Sequence, residues 1–377
     1  MLTPRPQKGR SRGPVPTAAP ASYRAALRLY SLVIPAGDGS VSVHRLVQAI
    51  TFDQMPAGLA GQWRQAAAVL IEAAIPADPY APKTWSACAA LLPHAQAALP
   101  VGSDGMGRVA NSAGASGSYA AARELWRTIV DARAQTLGPE HPATLNARAE
   151  VASWTGMAGD AAGARDQFAA LLPAAERVLG PEHPDTLISR GTHARLTGEA
   201  GDAAGARNLF AALLPVEERT LGPEHRYTLT ARSDLAFWTG EAGDAAGARD
   251  QFATLLPAAK RVLGPEHPNT LNVCSDLARW TGEAGDAAGA RDQFAASLPV
   301  DRRVLGPEHP DTLTASHNLA RWTGEAGDAA RARDLYAALL PVEERVFGPE
   351  HPDTRATRAN LAYWAAKTNG STTPTSD

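Results

Sequence analysis

Six Glu-His pairs stand in the sequence at a constant spacing: Glu140-His141, Glu182-His183, Glu224-His225, Glu266-His267, Glu308-His309 and Glu350-His351, each 42 residues beyond the one before. A carboxylate beside an imidazole could ligate a metal or move a proton. The spacing argues against a shared ion: ligands must come within about 2 Å of one metal, whereas equivalent positions on packed helices lie about 8–10 Å apart. A turn-and-cap role is expected instead, with no metal. The other signals are weaker. Gly105-x-Gly107-x-x-Ala110 matches a dinucleotide fingerprint loosely, without a preceding strand or a βαβ unit. There is no Gly-x-Ser-x-Gly elbow and no His-Glu-x-x-His helix. No Gly-x-x-x-x-Gly-Lys-Ser/Thr loop occurs, and Lys8, Lys83, Lys260 and Lys367 sit in no phosphate-cradling context. Cys88 and Cys274 form no C-x-x-C pair, and Cys88 falls in a stretch that reads as a packed helix. His193 reads as a core substitution rather than a ligand. No catalytic residue, cofactor or enzyme activity is expected.

The elements that carry these residues follow from the same step of 42. The phrase Leu-Gly-Pro-Glu-His begins at Leu137, Leu179, Leu221, Leu263 and Leu305, and returns with Phe347 in the first place. A period of this length means stacked units that cannot bury an apolar face alone. Each unit holds two helix-length stretches parted by Gly-Asp, as at Gly243-Asp244. Glycine there can take the left-handed position that ends one helix, and aspartate can cap the next. Proline after the histidine, as in His309-Pro310-Asp311-Thr312, suits a first helical position. Ala231, Leu235, Trp238 and Ala242 share one side of the first helix, and Phe168, Phe210, Phe252, Phe294 and Tyr336 mark the core of the second. Subtracting 42 from Phe168 gives Trp126, so a further unit precedes the clear ones. Its first helix, near Ser103 to Ala115, is weakened by Gly105, Gly107 and Gly114 and reads as a degraded cap, and its second runs about Ser118 to Leu137. Pro173, Pro215, Pro257, Pro299 and Pro341 fall inside second helices and are expected to kink them. The last unit, His351 to about Ala366, has a first helix alone.

Positions that vary between units cluster on one strip of the first helices. One row contains Arg195, Phe237, Arg279, Arg321 and Tyr363, a second Thr230, Asn272 and Thr314, and a third Ser233, Ser275 and His317. These eleven residues are the expected partner-binding groove, offering arginine forks and aromatic faces to an acidic or mixed peptide. The alternative is a solvated face countered by Glu199, Glu241, Glu283 and Glu325.

Leu-Gly-Pro-Glu-His-Pro-Asp-Thr-Leu, followed by Asn-Leu-Ala as at Asn318-Leu319-Ala320 and by Gly-Asp-Ala-Ala and an aromatic, resembles the tetratricopeptide repeat of the kinesin-light-chain type. The resemblance covers residues 103–366. It implies an all-α fold, a right-handed α-solenoid whose concave face, lined by first helices, binds a peptide or protein partner. Two departures put local packing in question: Arg226-Tyr227 replaces Pro-Asp, and His193 and Leu196 stand at the Leu and Trp positions.

A second resemblance covers Tyr23 to Leu99. Tyr23 to Val33 reads as a helix, and Ser40 to Gln48 as a short strand entering a helix after Gly37-Asp38-Gly39. This is similar to the winged-helix end of NB-ARC (STAND-class) ATPases, with Val43-His44-Arg45 at their Met-His-Asp motif. The resemblance implies a small winged-helix-like segment before the solenoid, with His44 a vestigial nucleotide sensor. Arg45 replaces the acidic residue, so hydrolysis by this chain alone is not expected.

The domains then read as a basic, proline-rich tail over 1–22, the winged-helix-like remnant and following helix over 23–75, a connecting helix over 76–102, the repeats over 103–366 and a polar tail over 367–377. With 44% apolar residues the chain can bury a core, and a net charge of −3 disfavours nucleic acid as a partner. No secretory signal or membrane span is legible, and the unpaired cysteines fit a reducing cytoplasm. Two functions are carried forward: a non-catalytic protein-interaction scaffold, or the sensor arm of a nucleotide-dependent signalling switch whose ATPase domain lies elsewhere.

Overall fold

A computed structural model describes residues 33–35, 41–43, 50, 53–54 and 56–370 of the 377-residue chain. Two short strands, β1 (Val33–Pro35) and β2 (Val41–Val43), pair antiparallel with Val33 opposite Val43. β2 lies within the segment expected to open with a strand. Val33, expected to end a helix, is in a strand: Val33 and Ile34 are β-branched, and Pro35 cannot continue a helix interior. The remainder of that helix, His44 and the 1–22 tail fall outside the described residues, so the winged-helix resemblance receives no support from them.

Fifteen α-helices follow among the described residues. Helix α1 (Ala57–Ala74) and helix α2 (Trp85–Ala98) precede the repeats. Chain contacts divide the molecule into two units, the part up to Ala74 with Pro93–Leu99, and Ile75–Leu92 with everything from Pro100 onward. The second unit is an α-solenoid of helix pairs. The pairs are α3 (Asp104–Ala115) with α4 (Tyr119–Leu137), α5 (Pro142–Met157) with α6 (Ala161–Val178), α7 (Pro184–Glu199) with α8 (Ala203–Thr220), and α9 (Arg226–Glu241) with α10 (Ala245–Val262). Then come α11 (Pro268–Glu283) with α12 (Ala287–Val304), α13 (Pro310–Glu325) with α14 (Ala329–Val346), and α15 (Pro352–Gly370) alone.

Local chemistry sets the boundaries. Each repeat's histidine is a cap: the imidazole Nδ1 accepts the backbone N–H two residues on, at 3.2 Å from Asp311 to His309. This holds at His225 too, where Tyr227 donates at 3.3 Å, so Arg226-Tyr227 leaves the helix start intact. Gly243 lies at φ 100°, a conformation open to glycine, and Asp244 accepts from Gly247 N–H at 2.8 Å to start α10. The glutamate beside each of the first five histidines reaches forward to an arginine near the end of the next repeat's second helix, as in Glu266–Arg303 at 2.8 Å and Glu308–Arg345 at 2.6 Å. These pairs are solvent-exposed, so water and salt screen them and each contributes little to stability. The metal-ligand types in the Glu-His phrase are thus engaged in capping and cross-repeat ion pairs. Among the described residues, no group of three or more His, Cys, Asp or Glu side chains could hold a metal.

Helices α6, α8, α10, α12 and α14 run on through their prolines. Helix α15 continues to Gly370, past Lys367 where the polar tail was expected to begin. Phe168, Phe210, Phe252, Phe294 and Tyr336 are buried, and Trp126 is buried at the equivalent place in the first pair. Two of the three glycines of α3 are contact points rather than mere weaknesses: a Cβ on Gly107 would fall 2.8 Å from Trp126, and one on Gly114 2.4 Å from Trp154. The latter contact recurs as Gly198 under Trp238, Gly240 under Trp280, Gly282 under Trp322 and Gly324 under Trp364. Each tryptophan lies on a glycine of the preceding repeat, which locks neighbours together. Leu196 takes the tryptophan's place against Gly156, so that interface is kept with a smaller side chain.

From α3 onward each helix packs on its successor, and the first helices of adjacent repeats also touch, α5 with α7 through to α13 with α15. The second helices approach one another less closely. The first helices therefore form the inner row.

Candidate functional site

Three cavities repeat along that inner row with the period of the sequence. One lies between α5 and α7 (180 Å³), the next between α7 and α9 (280 Å³), and the third between α9 and α11 (470 Å³). Each is walled by equivalent residues: Leu145, Leu187 and Leu229 on the first helix, and Leu171, Leu213 and Leu255 on the second. The last two cavities adjoin, sharing Arg195, Thr230 and Asp234.

Of the eleven residues picked from the sequence, Arg195, Thr230, Ser233, Phe237 and Asn272 line the largest cavity. Ser275, Arg279, Thr314, His317, Arg321 and Tyr363 do not line these three cavities. His317 is held by the last helix: its Nδ1 lies 2.9 Å from Thr357 Oγ1, its Nε2 3.3 Å from the Asn360 amide, and its ring packs edge-on to Tyr336. Burial holds its pKa below the usual histidine range. Tyr363 is exposed beneath Lys367.

The arginines differ most from expectation. Arg279 bonds Glu241 of the preceding first helix at 2.6 Å and lies over the Trp280 ring, and Arg321 bonds Glu283 at 2.9 Å over Trp322. Arg195 pairs with Glu199 of its own helix, because Met157 occupies the glutamate position one repeat earlier. None is an uncommitted fork for an acidic peptide. Of the four glutamates seen in sequence as a solvated counter-face, Glu199, Glu241 and Glu283 are their partners. Phe237 holds the place of an arginine in this row, so no such strut joins α7 to α9. Its ring packs edge-on against Trp238 at 5.0 Å.

What sequence reasoning missed is acidic. Asp234 and Asp276, both partly buried, line the largest cavity, and Asp234 with Glu217 lines its neighbour. Glu217 is 4% exposed, and its Oε2 is buried without a hydrogen-bond partner. Burial raises its pKa to about 7, with the Asp234 charge adding to the shift. Burial raises Asp234 to about 6 against the pull of Arg195, and Asp276 to about 6 against the pull of Arg279. A half-signal was present. Asp234 and Asp276 stand at the row that reads Asn318 and Asn360 later, and the second-helix row reads Ala175, Glu217, Ala259, Asp301, Glu343. Carboxylates with raised pKa in a cleft mark functional candidates.

Arg226 also borders the largest cavity, where its guanidinium lies over the Tyr227 ring and bonds the Tyr227 hydroxyl at 2.7 Å. The two adjoining cavities thus form an apolar trough with four carboxyl groups on its polar side, of which Glu199 is paired with Arg195 and Glu217, Asp234 and Asp276 are not paired with an arginine.

Comparison with known proteins agrees with this geometry. Tetratricopeptide-repeat family models match residues 227–302 and 283–342, and residues 106–143 and 144–185. No curated protein matches the chain. Among solved structures, a Podosopora anserina chain of nearly identical TPR-like repeats assigned to kinesin light chain is 23% identical, over 55% of this chain and 97% of that one, with a TM-score of 0.49. BtubC (BKLC) from P. vanneervenii is 18% identical, over 61% of this chain and 92% of that one, with a TM-score of 0.51. The APC/C hetero-tetramer Cut9-Hcn1 aligns over 74% of this chain and 46% of that one at 11% identity, with a TM-score of 0.53. At these identities the likeness to the latter two speaks to fold alone. The capped 42-residue helix pairs, their inner row and the matched models give one conclusion: this chain carries tetratricopeptide repeats.

Proposed function

We propose that the chain is a non-catalytic interaction scaffold that holds a peptide or protein segment along the inner row of its first helices. The observation that carries this reading is the pair of adjoining cavities between α7, α9 and α11, lined by five of the positions that vary between repeats. Varied residues around a constant frame suit recognition, because the frame fixes their spacing while their chemistry selects the ligand. Two free cysteines, one of them the buried Cys88, fit a reducing cytoplasmic setting. Among the described residues no helix is long and apolar enough to cross a membrane.

The test fills the trough. Thr230 and Asn272 are exposed on its rim, so Thr230→Trp with Asn272→Trp obstructs it without touching a buried position. A random peptide display library is selected on the whole chain, and each enriched peptide is then measured against the filled variant. Loss of binding with unchanged helical content supports the reading. Undiminished binding of every enriched peptide refutes it.

A further inference from the structure

We propose that the two adjoining cavities between α7, α9 and α11 form a receptor for a basic side chain, so that the partner presents a lysine or arginine to Glu217, Asp234 and Asp276. This rests on the inner-row reading and specifies its ligand. It reverses the sign of the partner expected from the arginine row.

Three observations carry it. The first is an unpartnered charge-bearing group at the base of a cavity: Glu217 is 4% exposed, its Oε2 has no hydrogen-bond partner, and it lines the 280 Å³ cavity. A buried carboxyl oxygen without a donor is costly, and a cationic N–H donor entering the cavity would satisfy it. The second is convergence. Asp234 borders both cavities and Asp276 the larger one, and among the described residues neither side chain has an ion pair or hydrogen bond. The basic groups nearest them are engaged: Arg195 by Glu199, Arg279 by Glu241, and Arg226 by the Tyr227 ring and hydroxyl. The third is shape. Leu187, Phe210 and Leu213 wall the inner cavity, so a long side chain could lay its methylene stem on them and carry its charge to Glu217. Gly191 leaves that mouth open, where Ser233, Ser275 and His317 stand in later repeats.

The cavity one repeat earlier sets the contrast. It holds Ala175 where Glu217 stands, so its carboxyls, Glu150 and Asp185, have no buried partner of that kind beside them, and it is the smallest of the three at 180 Å³. Asp301 and Glu343 repeat the buried, unpartnered carboxyl oxygen in later units, but of the three only Glu217 lines one of these cavities, so the α7–α9–α11 step is the roomy place where such a group meets open space.

The experiment uses the whole chain and the random nonapeptide display library as the probe. Enriched peptides should share a lysine or arginine at one position, and a synthetic copy with that residue changed to glutamine should bind about 30-fold more weakly, the loss expected for one charge-assisted hydrogen bond. Glu217→Gln with Asp234→Asn should weaken the parent peptide by a similar factor while the melting temperature at pH 8 stays level or rises. A purely structural role for the carboxyls predicts the opposite change in melting temperature. Enriched peptides centred on acidic or apolar residues, yet blocked by Thr230→Trp with Asn272→Trp, would overturn the basic-side-chain receptor and leave the inner-row scaffold standing. No enrichment, or enrichment indifferent to the filled trough, would overturn both.

Discussion

Gly240→Ala isolates the contact that joins one repeat to the next. A methyl there would lie 2.4–2.5 Å from three atoms of the Trp280 ring, against about 3.5–4.0 Å for an ordinary carbon contact. The ring would have to withdraw by about 1 Å. It is 4% exposed and packed with Phe252, Leu255 and Val273, so it has no open side to move into. Two effects oppose each other. Alanine is favoured over glycine in a helix interior by about 1 kcal/mol, whereas overpacking a core contact costs about 1–3 kcal/mol. With the clash more than 1 Å inside contact distance, the second wins, and a net loss of about 1–2 kcal/mol is expected. Gly191→Ala is the control, because its new methyl would meet nothing nearer than Leu213 Cδ2 at 3.6 Å. Urea unfolding of the three proteins, followed by far-ultraviolet circular dichroism, reads the difference. Gly191→Ala should match or exceed the parent and Gly240→Ala should fall below it. If Gly240→Ala proved as stable as Gly191→Ala, the tryptophan-on-glycine interlock would be refuted as a source of inter-repeat stability.

Two further outcomes follow from the same structure. Glu217 ionises near 4.5 in an unfolded chain and at about 7 in the folded one, so below pH 4.5 it is protonated in both states and carries no penalty. As pH rises from 4.5 to 7 the unfolded state loses the proton first and stability falls, by roughly 3 kcal/mol when converted at 1.36 kcal/mol per pH unit. Glu217→Gln should therefore melt like the parent at pH 4 and above it at pH 8, and equal melting temperatures at pH 8 would show the carboxyl to be solvated. Asp244→Ala removes the acceptor of the 2.8 Å bond from Gly247 N–H and should cost about 1 kcal/mol in urea unfolding. Asp244→Asn, which keeps an acceptor oxygen, should restore most of it.

The period of 42, the helix pairs, the histidine and aspartate caps and the buried aromatic row were all legible in the sequence. Each depends on residues within a few positions of one another, or on the recurrence of a residue type. A cap needs only a side chain within three residues of a free backbone N–H, and a core row needs only helical spacing, so one dimension suffices. Propensity misjudged Gly107 and Gly114, because what requires them small is a tryptophan ring on another helix.

The character of the inner row depended on tertiary structure. Arg279 and Glu241 are 38 residues apart, and whether they meet is set by the offset between neighbouring repeats, which no local pattern encodes. That offset closes the arginines onto glutamates and leaves Glu217, Asp234 and Asp276 facing the trough. A residue's charge can be read from its letter, but its availability depends on the company it keeps in space. Which residues repeat was decided along the chain, and which charges remain free for a partner was decided by the stacking of its repeats.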